Sequence, residues 1–259
     1  MFKLKYLPTR VVLVGSAVIL LFAAKLYSIS YLWFQIPMYL YFLIAGIASF
    51  IMCWEFYRKA ICKFPTTEKK IAISFDDGPV LQTEKILDIL KKHNIKAAFF
   101  CIGKQMEVNA SIIQRIDREG HCVGLHSYSH TWSFPFYSEK KMLDEHQKTM
   151  SLLNSIIGKT TKMFRPPFGI VNPVVAKVSD KLGLTLVGWS IRSLDTVKSN
   201  PDAVVKRIID KIAPGKIILL HDTTTGIEIV LEKVFNYAQE NGYQFVEFNK
   251  VCEPKWYSY

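Results

Sequence analysis

The stretch Lys70-Ile71-Ala72-Ile73-Ser74-Phe75-Asp76-Asp77-Gly78-Pro79 decides how the chain is read. Ile71 to Phe75 is a short apolar run of the kind that becomes a strand buried on both faces. Asp-Asp-Gly-Pro stops it with turn residues, and an amphipathic helical segment follows at residues 83 to 93. The same alternation continues to the C-terminus. Further strand candidates are Ala97 to Ile102, Cys122 to His126, Lys162 to Arg165, Leu184 to Trp189, Ile217 to His221 and Gln244 to Phe248. Helix candidates lie between them at 110 to 119, 139 to 157, 173 to 182, 201 to 212 and 226 to 241. Pro173 and Pro201 suit first-turn positions after Asn172 and Asn200, and Gly120, Gly158, Gly183 and Gly242 suit C-terminal stops. Strands alternating with helices imply parallel pairing through right-handed crossovers. Polar groups stand at or shortly after five strand ends: Asp76 and Asp77, His126, Arg165, Asp195 and His221. That placement favours a barrel, in which chemistry gathers at the C-terminal ends of several strands. The fold expected is α/β, a distorted β/α barrel of about seven parallel strands over residues 70 to 259.

Upstream the composition changes. The 259 residues carry 33 Lys plus Arg against 22 Asp plus Glu, a net of +11, and half are hydrophobic, which excludes a disordered chain. Residues 1 to 70 hold nine of the basic and two of the acidic residues, 9 − 2 = +7, leaving 24 − 20 = +4 for the remainder. The basic residues bracket apolar stretches rather than cluster with aromatics, so the partner expected is a lipid bilayer and not nucleic acid. Between Arg10 and Glu55 the only charged residue is Lys25. Residues 1 to 57 are therefore expected to form a membrane anchor, a two-helix hairpin at about 9 to 27 and 34 to 54, with Pro37 in the first turn of the second helix. Tyr27, Tyr31, Trp33 and Phe34 fall at the turn as an interfacial belt would. A signal peptide before one span, and a single span made from the second segment, are the alternatives. Residues 58 to 69 read as a basic linker. Basic residues on both outer flanks place both termini in the cytoplasm by the positive-inside rule, whereas a single span would put the following domain outside. Cys53, Cys62, Cys101, Cys122 and Cys252 are odd in number, show no metal-type spacing and do not settle the compartment.

The candidate chemistry starts at Asp76 and Asp77. Adjacent residues leaving a strand point different ways, so division of labour is expected, one carboxylate binding a metal and the other acting as base. His126 and His130, in His126-Ser127-Tyr128-Ser129-His130, share a face if the segment turns helically and then hold one cation, with a carboxylate as third ligand. Arg165-Pro166-Pro167-Phe168-Gly169 is a stiff loop suited to presenting a backbone N–H to an oxyanion. His221-Asp222 ends the apolar strand Ile217 to Leu220.

Taken in order, FDDGP, HSYSH, RPPFG, LDT and LLHD make residues 70 to 250 resemble the polysaccharide deacetylases, the NodB-homology group of carbohydrate esterase family 4. The resemblance implies that Asp77, His126 and His130 bind a divalent metal, first of all Zn2+, with Co2+, Ni2+ or Mn2+ as other occupants. It implies that Asp76 is the general base tuned by Arg165, and that His221 is the general acid with its imidazole held by Asp195. The Phe168 N–H, flanked by Pro167 and Gly169, would join the metal at the oxyanion, and Leu219 would shape an apolar pocket for the acetyl methyl. Many members carry Asp-Trp where this chain has Asp195-Thr196; Trp189 is retained as a candidate substrate contact. The function expected is a membrane-anchored, metal-dependent N-deacetylase acting on N-acetylated amino sugars of a glycan such as peptidoglycan, a chitin-like polymer or exopolysaccharide. The alternatives are a deacetylase or deformylase of a lipid-linked amino sugar at the membrane surface, and an inactive glycan-binding or scaffold protein. No obligatory protein partner is implied.

Overall fold

A computed structural model describes residues 4–28, 30, 32–197, 200–251 and 257–258; Lys3, Tyr31 and Cys252 lie outside them. The chain starts with two apolar helices, α1 (Tyr6–Tyr27) and α2 (Leu32–Ser49), each long and apolar enough to cross a membrane. At 1.5 Å per residue they measure about 33 and 27 Å, close to the roughly 30 Å of a bilayer's hydrocarbon. Leu7, Ile19, Phe22, Phe42 and Leu43 point outward, exposed. The second helix stops at Ser49, short of the expected residue 54, and Met52–Trp54 form a separate 3-10 turn. Pro37 is the sixth residue of α2, beyond the first turn in which it was expected, and its ring removes one helix hydrogen bond there.

Then follow β1 (Ala60–Ile61), β2 (Lys70–Asp76), α3 (Leu81–Lys92), β3 (Ala98–Cys101), α4 (Gly103–Val108), α5 (Ala110–Arg118) and β4 (Cys122–Leu125). The middle of the domain is α6 (Glu139–Ile157), β5 (Thr160–Thr161), β6 (Met163–Phe164), α7 (Pro173–Lys181), β7 (Thr185–Val187) and β8 (Ile191–Arg192). It ends with α8 (Pro201–Ile209), β9 (Ile217–His221), α9 (Ile227–Glu240), β10 (Gln244–Phe245), α10 (Phe248–Val251) and β11 (Tyr257–Ser258), the last pairing antiparallel with β5. Local chemistry sets the boundaries. The Asn172 side chain accepts the Val175 N–H and the Asn200 side chain accepts the Asp202 N–H, each before a proline at the helix start. Gly158 closes α6 at φ 69°.

The main sheet runs β1-β7-β6-β4-β3-β2-β9-β8, with β10 also beside β2, and every pair is parallel. Ile71, Ile73, Phe75, Phe99, Val123, Leu186, Ile218 and Leu220 bury its helix-facing side, with Phe75 stacked on Phe99 at 5.1 Å. The curl has a simple cause. β7 and β8 stand near opposite ends of the strand order, yet only Gly188, Trp189 and Ser190 connect them, a link of at most about 14 Å. The sheet must bend until its ends nearly meet, which makes the expected barrel a curled half-barrel with a seam at 188–190.

Residues 58–69, expected as a linker, are built into this seam. β1 pairs with β7 in the register Ala60↔Leu186, Phe64 is buried with its N–H donated to the Gly215 carbonyl, and Arg58 pairs with Asp180 and the Leu184 carbonyl. The sequence signal was too short to see, since a two-residue strand has no periodicity. A Cys53–Cys62 disulfide ties the exit of the helical hairpin to the end of β1. A Cβ on Gly188 would lie 2.7 Å from Cys62 Sγ, so only glycine lets the seam close over the disulfide.

Candidate active site

The C-terminal ends of β2, β4, β6, β7 and β9 converge on a cleft of about 270 Å3 lined by Asp76, Asp77, His126, His130, Phe168, Gly169, Trp189, Arg192, Thr196, Leu219 and His221. Asp76 closes β2 opposite His221 of β9, the two being Cα partners across neighbouring strands. The next residue, Asp77, turns aside at φ 77°, so the two carboxylates do face different ways.

One carboxylate is held by arginine. Fully buried Arg165 donates from Nη1 to Asp76 Oδ1 at 2.5 Å, from Nε to the Val187 carbonyl at 3.0 Å and from Nη2 to the Gly188 carbonyl at 2.9 Å. Its guanidinium lies 3.9 Å over the Phe100 ring, and burial lowers its pKa while Asp76 opposes that. With Oδ1 occupied, Oδ2 of Asp76 is the oxygen turned toward the histidines, 3.9 Å from His126 Nε2.

The other carboxylate meets two imidazoles. Asp77 Oδ1 lies 3.5 Å from His126 Nε2 and 3.4 Å from His130 Nε2, and one ligand atom from each of the three residues falls within 4.8 Å of the others. His126 Nδ1 sits 2.7 Å from the Arg165 carbonyl, which accepts only if Nδ1 carries the proton; Nε2 is thereby left as the electron-pair donor. Burial opposes ionisation of Asp77, but His126, His130 and His221 outweigh it and bring the carboxyl to about 2. Burial, reinforced by His126, lowers His130 to about 4, so its ring is neutral at neutral pH. An ionised carboxylate, the His130 ring and the Nε2 of His126 are the donor set of an open zinc-type site, and these residues fit a divalent cation.

The His126–His130 segment is not helical, contrary to the expected i, i+4 face. Ser127 and His130 have φ of 62° and 47°, and a carboxylate from another element folds the loop. Glu145 of α6 accepts the Tyr128 and Ser129 N–H groups at 3.0 and 2.9 Å and the Ser129 hydroxyl at 2.8 Å. Glu145 escaped the sequence reading because its partners lie 16 and 17 residues away with no motif to link them.

On the opposite flank His221 Nδ1 lies 2.9 Å from Asp195 Oδ1, and Asp195 also accepts the His221 N–H at 2.7 Å, the Thr224 hydroxyl at 3.0 Å and the Ser193 hydroxyl at 2.6 Å. Burial would lower the imidazole, but Asp195, Asp76 and Asp77 raise it to about 9. Asp195 moves the other way: burial raises its pKa, and His221 more than compensates.

Phe168 sits at φ 60° with its ring 4.9 Å from His130, and Pro167 before it is buried. Gly169 has φ 70°, and a Cβ there would lie 2.5 Å from the Trp189 indole. Trp189 therefore stands against the Pro167-Phe168-Gly169 turn and walls the cleft beside Thr196, with Leu219 below. Two more residues were not anticipated. Arg192 lines the cleft from β8. Asp222, buried behind it, accepts the Thr83 hydroxyl at 2.7 Å and fills the space a Cβ on Gly78 would need, bracing the Asp76–Pro79 turn. Burial lifts its pKa to about 7.

The geometry matches known proteins over the same region. A family model for polysaccharide deacetylase matches residues 63–187. A peptidoglycan-N-acetylglucosamine deacetylase of Bacillus cereus is 34% identical over 187 residues, covering 70% of this chain and 68% of that protein. The peptidoglycan-N-acetylglucosamine deacetylase PgdA of Listeria monocytogenes is 33% identical over 190 residues, covering 73% of this chain but 40% of that longer protein. The crystal structure of the Bc1960 peptidoglycan N-acetylglucosamine deacetylase superposes with a TM-score of 0.71 at 30% identity, over 75% of this chain and 92% of that one. The chain belongs to the polysaccharide deacetylase family, whose curled parallel sheet it shares.

Proposed function

We propose that the protein is a metal-dependent hydrolase that removes the acetyl group from an N-acetylated amino sugar of a glycan, and that α1 and α2 anchor it in the cell membrane as a hairpin. One observation carries the chemistry. Asp76 and His221, neighbours across β2 and β9, each have an outer partner that fixes the ring or carboxylate, and both face the Asp77, His126 and His130 cluster. Relatives named as peptidoglycan N-acetylglucosamine deacetylases favour N-acetylglucosamine units of peptidoglycan as the substrate.

Asp77, His126 and His130 would hold the cation, Zn2+ in the first instance. When bound, such a cation polarises the amide carbonyl and brings the pKa of water toward about 7. Asp76, with one oxygen held by Arg165, takes the proton of the attacking water on its other oxygen. The backbone N–H of Phe168, a residue that lines the cleft, would stabilise the oxyanion. His221 is protonated at neutral pH and gives that proton to the departing amine as the C–N bond breaks; the products are acetate and the free amino sugar. Asp195 orients His221, while Trp189 and Leu219 enclose the acetyl methyl.

The Cys53–Cys62 disulfide supports placing the catalytic domain on the oxidising side of the membrane, against the cytoplasmic side expected from the basic flanks. Of the two signals, the disulfide includes Cys62 at the end of β1 and so reports on the side where the domain lies, whereas the flanking charges report only on insertion. The test uses the full-length chain in lipid with divalent metal. Acetate release from N-acetylglucosamine oligomers or peptidoglycan fragments should be lost on chelation and restored by zinc. Metal-loaded protein that releases no acetate from any of these glycans would sink the proposal.

A further inference from the structure

We infer that the loop from Trp132 to Phe136 is a second membrane contact that seats the mouth of the cleft on the bilayer surface, so that the substrate is an amino sugar carried on a membrane lipid. This rests on the N-deacetylase and anchoring reading above, and it shifts the substrate of that same site from the N-acetylated units of the polymer to the same kind of amino sugar carried on a lipid.

The loop carries two large rings that the fold leaves outside. Trp132 and Phe136 are 79% and 81% exposed, although Phe134 between them is fully buried. They are held outward by a rigid turn: the Phe134 N–H is donated to the Thr131 carbonyl, the Phe136 N–H to the Ser133 carbonyl, and the Phe134 ring packs on Tyr137. Such a patch marks a surface with a partner, and tryptophan is favoured where water meets lipid. Among the described residues between 52 and 251 seven large apolar residues are exposed, and three of them, Trp132, Phe136 and Phe168, follow the ends of β4 and β6, two of the strands that form the cleft.

Continuity with the apolar helices selects the bilayer as the occupant. Ser49, the last residue of α2, accepts the Val171 N–H at 2.9 Å, and the neighbouring Asn172 donates from its side chain to the Pro135 carbonyl at 2.6 Å. Two hydrogen bonds therefore lead from the end of the membrane helix to the middle of the aromatic loop. The Tyr57 hydroxyl adds a third tie, donating to the Ala45 carbonyl one turn back in α2 at 2.8 Å. A headgroup layer is roughly 5–7 Å thick on each side, so a loop this close to the helix end lies within its reach. Phe168, exposed on the same rim, lies against His130. The mouth of the cleft then opens at the level where a lipid presents its sugar.

The test uses the metal-loaded full-length chain in phosphatidylethanolamine and phosphatidylglycerol vesicles, some carrying lipids brominated near the headgroup. Fluorescence quenching by the brominated lipid should fall in Trp132→Phe. The double variant Trp132→Ser/Phe136→Ser should lose about tenfold or more of its turnover of N-acetylglucosaminyl phosphate linked to a polyprenol in the vesicles, because one of two linked contacts is gone. Its turnover of water-soluble N-acetylglucosamine oligomers should be unchanged, which also shows that the variant folds. Equal losses on both substrates would mean that the loop binds the glycan itself, and would overturn the inference. Quenching that is the same with and without Trp132 would overturn it too. Quenched Trp132 with no hydrolysis of either substrate by the unaltered chain would keep the membrane contact and remove the deacetylase reading beneath it.

Discussion

On the β2–β6 flank of the cleft Arg165 is wholly buried and grips Asp76 at 2.5 Å, whereas on the β8–β9 flank His221 keeps 16% of its side chain exposed and meets Asp195 at 2.9 Å. Both are ion pairs beside the same three candidate metal ligands, but they do different work. A guanidinium stays charged at any accessible pH and makes three directed bonds, so the first pair fixes a geometry. An imidazole changes charge within the working range, so the second pair sets when a proton is available. The dry flank tolerates no loss of a partner, and the wet flank is where pH acts.

The largest effect is expected where the dry flank is broken. Arg165→Gln leaves Asp76 buried without its cation and should cost about 3–5 kcal/mol in denaturant unfolding, together with nearly all activity. A destabilisation under about 1 kcal/mol would mean that the flank is not dry in solution. Asp76→Asn keeps an acceptor for Arg165 but removes the base; acetate release should fall by about 10²- to 10⁴-fold with bound metal per chain unchanged.

The wet flank should respond through pH. Asp195→Asn is expected to bring the alkaline limit of activity down from about 9 toward the ordinary histidine value near 6.5. The raised His221 also contributes stability, fully present below about 6.5 and lost as pH rises through about 9, and the same variant should flatten that dependence in melting experiments. An unmoved pH profile would break the contrast between the flanks. Between them, Glu145→Gln should weaken metal affinity by about 10- to 100-fold, measured by competition with a chromogenic chelator, since it loosens the loop that joins His126 to His130. The smallest effect is expected far from both: Lys206→Ala removes an exposed pair with Asp210 and should change stability by less than about 0.5 kcal/mol and activity not at all.

Much of this architecture was readable in the residues because the signals were local. The buried run Ile71 to Phe75, the Asn-Pro helix starts and the glycines at helix ends each act within a few residues of themselves, and helix α6 at Glu139–Ile157 falls on its expected limits. The candidate site residues could be read because five short motifs each stand at or after a strand end, and the fold brings Asp76, Asp77, His126, His130, Phe168 and His221 to one cleft. What escaped depends on contacts that only the folded chain makes. Glu145 and Asp222 brace catalytic turns from other elements, the short strands β1 and β8 have no pattern of their own, and the His126–His130 spacing suggested a helix where Glu145 enforces a left-handed loop. Cys53 and Cys62 are nine residues apart with a strand between them, and pairing them required knowing that β1 climbs along β7 to the seam.

That seam has a consequence for how the protein meets its substrate. The chain leaving α2 becomes a strand of the catalytic sheet within eleven residues and is cross-linked to it, so nothing between hairpin and cleft is free to swing. With the hairpin in a bilayer, the cleft cannot search the volume above the membrane as a tethered domain on a flexible stalk would. Its encounters become those of two bodies diffusing in one plane, set by surface density rather than by bulk concentration. Inserting a flexible stretch between Ser49 and Met52, ahead of both the disulfide and β1, would return the third dimension to that search.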